Sequence, residues 1–233
     1  MQAGQKPAKF DCQASARTER SAVPRVFAWF WIEQPAVINA FAMLALLDAY
    51  DKFQDGRYLH AVRTIGVWIF EHLVDQSRTG YGGYFLGYED GGNPSTLFGK
   101  SVENNADIFV AFSRLAEVEQ TVGFGKRAGI WRGRASLAGN IVLRMFDASR
   151  GCFFAGTVPM GTPAGPGIKP GGPSRGRDVI NTSDFLDSNS FTTLALAASP
   201  RYRNTLDWRR PVRCVTDHFA RSKRAALYFE VST

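Results

Sequence analysis

Two acidic clusters follow each other closely between Gly80 and Asp107. The first closes a glycine- and tyrosine-rich run, Gly80-Tyr81-Gly82-Gly83-Tyr84-Phe85-Leu86-Gly87-Tyr88-Glu89-Asp90. The second, Lys100-Ser101-Val102-Glu103-Asn104-Asn105-Ala106-Asp107, leads into an apolar segment. Paired carboxyls can move protons at a glycosidic oxygen, tyrosine faces stack on a pyranose ring, and amides hydrogen-bond to its hydroxyls. The residue types are those of a sugar site.

Glu103 is expected at the N-terminal end of a helix, where the positive end of the dipole favours its ionised form, and Asp107 lies one turn further on the same face. Asp184 and Asp187 open a later helix at the equivalent place, so Glu103 and Asp187 are the expected acid/base pair, with Asp107 or Glu89 assisting. Tyr81, Tyr84 and Tyr88 are candidate sugar platforms, and Asn39, Asn104, Asn105 and Asn189 are candidate hydroxyl partners. Each has a structural alternative. Glu103 and Asp187 are also ordinary first-turn acids, Asp107 could be a buried structural acid, and Glu89-Asp90 could be a solvated loop tip. The tyrosines could pack on a rim, and the amides could cap helices.

The elements that must position these residues are helical. Residues 35–53 are apolar nearly all the way round, which predicts a helix buried on most sides, with Pro35 in its first turn and Asp55-Gly56 as its stop. Residues 57–74 put Leu59, Val62, Ile65, Ile69 and Leu73 on one stripe, the pattern of an amphipathic outer helix. The pairing returns twice. An inner segment from Ser101 to about Glu119 carries Ile108, Phe109, Ala111, Phe112 and Leu115; its partner, about 128–146, carries Ile130, Leu137, Ile141 and Met145. A third pair covers about 182–198 and 202–220, the latter kinked or divided at Pro211. The loop, inner helix and outer helix recur about every 65–85 residues.

Two long loops, 75–99 and 149–181, separate the hairpins. The tyrosines and acids of the first suit a site loop, whereas the prolines and glycines of the second predict mobility at its centre. Gly151 to Gly156 is read as a short strand or hairpin arm.

Composition bounds the function. At 233 residues with 45% hydrophobic and 13% aromatic content, the chain can bury a sizeable core. Residues 26–233 read as one helical domain, and 1–25 as disordered or atypical. The formal charge of +7 is spread along the chain without a dense basic run, which argues against nucleic acid. Cys12, Cys152 and Cys214 are distant and odd in number, so they read as free thiols rather than a disulfide framework or zinc site. No metal and no cofactor is expected. The polar, basic start has no apolar leader, and no apolar run approaches the ~20 residues of a membrane span. A cytoplasmic protein is the default expectation, or an exported one if a leader has been lost.

Tyr58-Leu59, Trp68-Ile69, Gly87-Tyr88-Glu89, the Lys100 to Asp107 block, Phe146-Asp147 before Gly151-Cys152-Phe153, and Leu186-Asp187 together resemble bacterial proteins of the six-hairpin glycosidase superfamily. The resemblance covers about Ala36 to the C-terminus and is strongest from Gly87 to Asp107. It implies an (α/α)6 toroid, six inner helices around a cavity and six outer helices around them, acting on an oligosaccharide or polysaccharide by hydrolysis of a glycosidic bond. Relatives carry Thr and His where this chain has Val102 and Asn104, and a Trp where it has Phe191. Tyr228-Phe229-Glu230 is similar to a C-terminal acidic segment of the family, which adds Glu230 to the candidate acids.

Three hairpins make an all-α partial toroid whose flanks leave apolar helix faces in water, so the chain reads either as a fragment or as a homo-oligomer that buries them. A non-catalytic glycan-binding protein or inactive fragment is the alternative to an enzyme.

Overall fold

In the computed structural model the residues described are 35–77, 80–89, 95–160, 177–223 and 226–229. The expectations for residues 1–25, for the centre of the second loop, and for Asp90 and Glu230 lie outside them. Among the described residues six helices form three hairpins: α1 (Pro35–Phe53) with α2 (Gly56–Leu73), α3 (Val102–Thr121) with α4 (Gly125–Arg144), and α5 (Leu186–Ala197) with α6 (Arg209–Phe219). Asp55 caps α2 by accepting from the Arg57 amide, and Ser101 caps α3 by accepting from the Asn104 amide. This is the partial α/α toroid that the sequence predicts.

The inner helices stand side by side. α3 is the middle one, packed against both α1 and α5, and it buries Ile108, Phe109, Ala111, Phe112 and Leu115. Because α1 has α3 as its inner neighbour and none on the other side among the described residues, Ile38 and Phe41 are 63% and 49% exposed, so α1 is less enclosed than its all-round apolar sequence predicts. At the opposite end Phe191 and Leu194 of α5 are 38% and 73% exposed. Both terminal inner helices thus expose large apolar side chains.

The outer helices differ more from the sequence pattern. α4 turns Ala128, Trp131, Ala135, Ala138, Ile141 and Val142 inward and leaves Ile130 and Leu137 exposed. Small residues win that face because α3 and Tyr202 come in close: the Tyr202 ring packs edge-on against Phe109, and its hydroxyl donates to Asn140 Oδ1 at 2.9 Å. Pro211 neither kinks nor splits a helix. The helix begins at Arg209, which places Pro211 in the first turn, where its missing N–H is not needed, and turns occupy 200–205 instead. α5 likewise starts later than predicted, at Leu186, with residues 182–185 in irregular backbone. Between α2 and α3, Arg63 grips the fully buried Glu119 with two hydrogen bonds of 2.6 and 3.0 Å.

Strands are more numerous than expected, and all are short. β1 (Gly87–Glu89) pairs antiparallel with β2 (Ser95–Leu97). β3 (Lys100–Ser101), β6 (Gly156–Pro159) and β7 (Asp178–Asn181) form a three-stranded sheet in the order β3-β6-β7. β4 (Phe146–Asp147) pairs with β5 (Cys152–Phe153), which makes the expected hairpin arm. β8 (Ala220–Lys223) pairs with β9 (Ala226–Phe229). Gly156 has φ +143°, and any Cβ there would run into the Lys100 carbonyl, so glycine is what lets β6 lie against β3.

The cysteines correct the sequence reading. Cys152 on β5 and Cys214 on α6 form a disulfide across 62 residues, tying the last outer helix to the strand after α4. Their long separation hid the pairing. No helix among the described residues is long and apolar enough to cross a membrane.

Candidate active site

The loops before the inner helices are fixed by one buried cation. Lys100 Nζ donates to Asp75 Oδ2 at 2.5 Å and to Asp178 Oδ2 at 2.8 Å, with the side chains of all three nearly closed to solvent. Thr157 Oγ1 donates to the same Asp178 oxygen, and the Tyr81 amide donates to its other one. Burial raises the Asp75 pKa, but hydrogen bonds from Lys100 and Ser77 outweigh it and hold the carboxyl below its ordinary value. Gly80, at φ +77°, lies so close to Asp178 that a side chain would collide with it. Thus the first loop, the second loop and the start of α3 converge on Lys100, two residues before the helix that carries the acids. Sequence reasoning quoted this lysine within the motif but gave it no anchoring role, because its two partners come from separate loops.

Glu103 and Asp187 are the second residues of α3 and α5, the two neighbouring inner helices. Glu103 is pushed up to about 7, first by burial and then by the charges of Asp187 and Asp107. Asp107 is also pushed up to about 7, by burial and then by Asp187. Helix N-termini favour carboxylate by about 0.3–1 kcal/mol, less than one pKa unit, so burial and like charge win here. No cation among the described residues offsets them, and Asp107 Oδ2 is sealed without a hydrogen-bond partner there. The fold therefore brings three of the predicted acids into one electrostatic cluster. A carboxyl held half-protonated near neutrality beside a second carboxyl can donate a proton in one step and accept it in the next.

The other candidates are placed differently. Asn105 is fully buried: its Oδ1 accepts from the Tyr84 amide, and its Nδ2 donates to the Tyr84 and Ser101 carbonyls. Asn189 does the same for Phe153, accepting from its amide and donating to the Phe153 and Phe185 carbonyls. Both amides are taken up by backbone, which corrects their reading as sugar ligands. Tyr84 is also corrected. It is fully buried, stacks edge-on against Phe112 and donates its hydroxyl to the Arg134 carbonyl.

Tyr81 is half-buried, with its backbone held by Asp178 and Arg144. Tyr88 turns toward α2, packing on Trp68 and His72. It lines, with His72, Asp75, Ser77, Phe85 and Phe98, a cavity of about 440 Å³ to which none of the three clustered acids contributes. Asn39 is half-buried on α1. Asn104, next to Glu103, is buried, and neither its amide oxygen nor its nitrogen has a partner among the described residues. Glu89 lies on β1 opposite Ser95. Asp184, near the start of α5, is engaged by Arg150.

No protein-family model and no curated protein matches this chain. Solved structures do. A glycoside hydrolase family 76 mannosidase from Bacteroides thetaiotaomicron superposes with a TM-score of 0.58 at 13% identity over 83% of this chain and 48% of its own. A cellobiose 2-epimerase from Spirochaeta thermophila gives 0.56 at 17% identity, over 85% and 47%. A family 76 α-mannanase from Bacteroides thetaiotaomicron gives 0.51 at 16%, over 84% and 47%. The chain thus spans under half the length of each. At these identities the likeness concerns architecture alone: the chain has the fold of part of an (α/α)6 toroid.

Proposed function

We propose that the chain is a carbohydrate-active half-toroid that hydrolyses glycosidic bonds with Glu103 and Asp187 as the carboxyl pair and Asp107 as their modulator. The observation that carries this reading is the coupling of Glu103 to Asp187 across two adjacent helix N-termini, with the Glu103 carboxyl pushed up to about 7. In the proposed reaction the protonated member gives its proton to the leaving oxygen, while the ionised member attacks the anomeric carbon or activates water. The neighbours' names, a mannosidase, a mannanase and a cellobiose epimerase, direct the substrate search to mannose- and glucose-containing glycans.

The open flanks support a second part of the reading. A second copy, joined so that Ile38 and Phe41 of each chain meet Phe191 and Leu194 of the other, would place six hairpins in a ring and enclose the acids. Exposed apolar faces of this kind are the usual mark of such an interface.

The test is release of reducing sugar from a panel of mannose and glucose oligosaccharides by the parent, Glu103→Gln and Asp187→Asn. Loss of about 100-fold or more in both variants is expected. Equal rates in parent and variants would remove the pair from the mechanism, and binding without turnover in the parent would leave a glycan-binding protein. Light scattering addresses the ring: a dimer is expected for the parent and a monomer for Phe41→Asp.

A further inference from the structure

We propose that Cys152, Cys214 and His218 form a zinc site that replaces the disulfide when the two cysteines are reduced. Cys214 and His218 are four residues apart on α6 and therefore share a face. Cys152 reaches them from β5, and the three donor atoms lie within 4.8 Å of one another. Two thiolates and an imidazole are the donor set that zinc prefers, and three protein ligands leave one tetrahedral position for water. Both cysteines are buried while His218 is exposed, so the open position can face solvent.

The two states use the same backbone. Thiolates on one zinc, each about 2.3 Å from the metal, are about 3.8 Å apart in tetrahedral geometry. The 5.5 Å between the Cα atoms lets side-chain rotation open that gap. In the reductive step a dithiol supplies two electrons and two protons: the S–S bond breaks, two thiols form, and the dithiol leaves as its own disulfide. Zinc then displaces both thiol protons to solvent, forming two Zn–S bonds and one Zn–N bond to His218. Disulfides persist in oxidising compartments and are lost in reducing ones. With zinc as the alternative, β5 stays fastened to α6 in either setting, so the third hairpin does not depend on the compartment in which the chain resides.

Cobalt(II) is a spectroscopic probe for the site, titrated anaerobically into reduced, dithiol-free protein with zinc(II) as competitor. The expected result is one equivalent bound with a thiolate-to-cobalt charge-transfer band, displaced by zinc. His218→Ala should weaken binding at least tenfold, Cys214→Ser should abolish the band, and oxidised protein should give none. Equal affinity in parent and His218→Ala, or equal binding by oxidised protein, would overturn the proposal. Far-UV circular dichroism runs in parallel: if reduction loosens the helices, zinc should restore them, and failure to do so would also overturn it.

Discussion

Asn105 and Asn189 occupy the fourth position of two successive inner helices and make the same grip, each accepting from the amide and donating to the carbonyl of one buried aromatic residue, Tyr84 or Phe153. Glu103 and Asp187, each two residues earlier in its helix, inherit their matching positions from this repetition. The amide clamp orients the helix start against the preceding loop, and the acid is carried along with it.

Asn105→Ala and Asn189→Ala should each cost about 2–4 kcal/mol, since each leaves a buried backbone N–H and C=O unpaired in addition to removing the clamp. Urea denaturation with the disulfide intact measures this. A variant that loses sugar binding while keeping parental stability would show that the amide serves ligand rather than backbone.

The acid cluster makes stability depend on pH in a specific direction. Unfolded, Glu103 and Asp107 ionise near pH 4; folded, burial and like charge hold their protons to about pH 7. The folded state binds more protons through that window, so this contribution falls as pH rises from about 4 to 7 and is level above it. Glu103→Gln should therefore be about 3 kcal/mol more stable than the parent at pH 8 and indistinguishable near pH 4. Denaturation curves at the two pH values decide, and a variant less stable than the parent at pH 8 would contradict the cluster.

The disulfide closes a loop of 62 residues. Chain-entropy reasoning assigns such a loop about 4 kcal/mol. In metal-free buffer, Cys214→Ser should lower the thermal midpoint by several degrees, with the lost amide protection concentrated in α6.

Much of the fold was legible because long apolar periodicities record burial directly, as in α2 and α3. The places of Glu103 and Asp187 at helix starts were legible for a related reason, since both fall near the beginnings of periodic segments. What stayed hidden depends on contacts distant in sequence. Strands of two to four residues are too short to show a period. The inward face of α4 was set by Tyr202 from the next hairpin. Asn105 and Asn189 carry the right chemistry for a sugar, and only the position of Tyr84 and Phe153 reveals that the backbone uses it.

Lys100 is the remaining test of how the site is held. It is one cation between two nearly buried carboxylates, and its hydrogen bonds keep Asp75 ionised against the cost of burial. In Lys100→Met, Asp75 and Asp178 would face each other uncompensated. Breaking a buried ion group in this way costs about 3–5 kcal/mol, whereas replacing all its members with neutral groups is often close to neutral. The triple variant Lys100→Met, Asp75→Asn, Asp178→Asn should therefore be more stable than Lys100→Met alone. The single variant should also recover part of its loss as pH falls and the orphaned Asp75 carboxyl takes up a proton, while the parent loses the Asp75 contribution below its unfolded pKa near 4. Denaturant midpoints from pH 8 to pH 4 would show the two curves converging. If they stayed parallel, Lys100 would be acting through packing against Phe85, which lies 5.2 Å from its ammonium, rather than through charge.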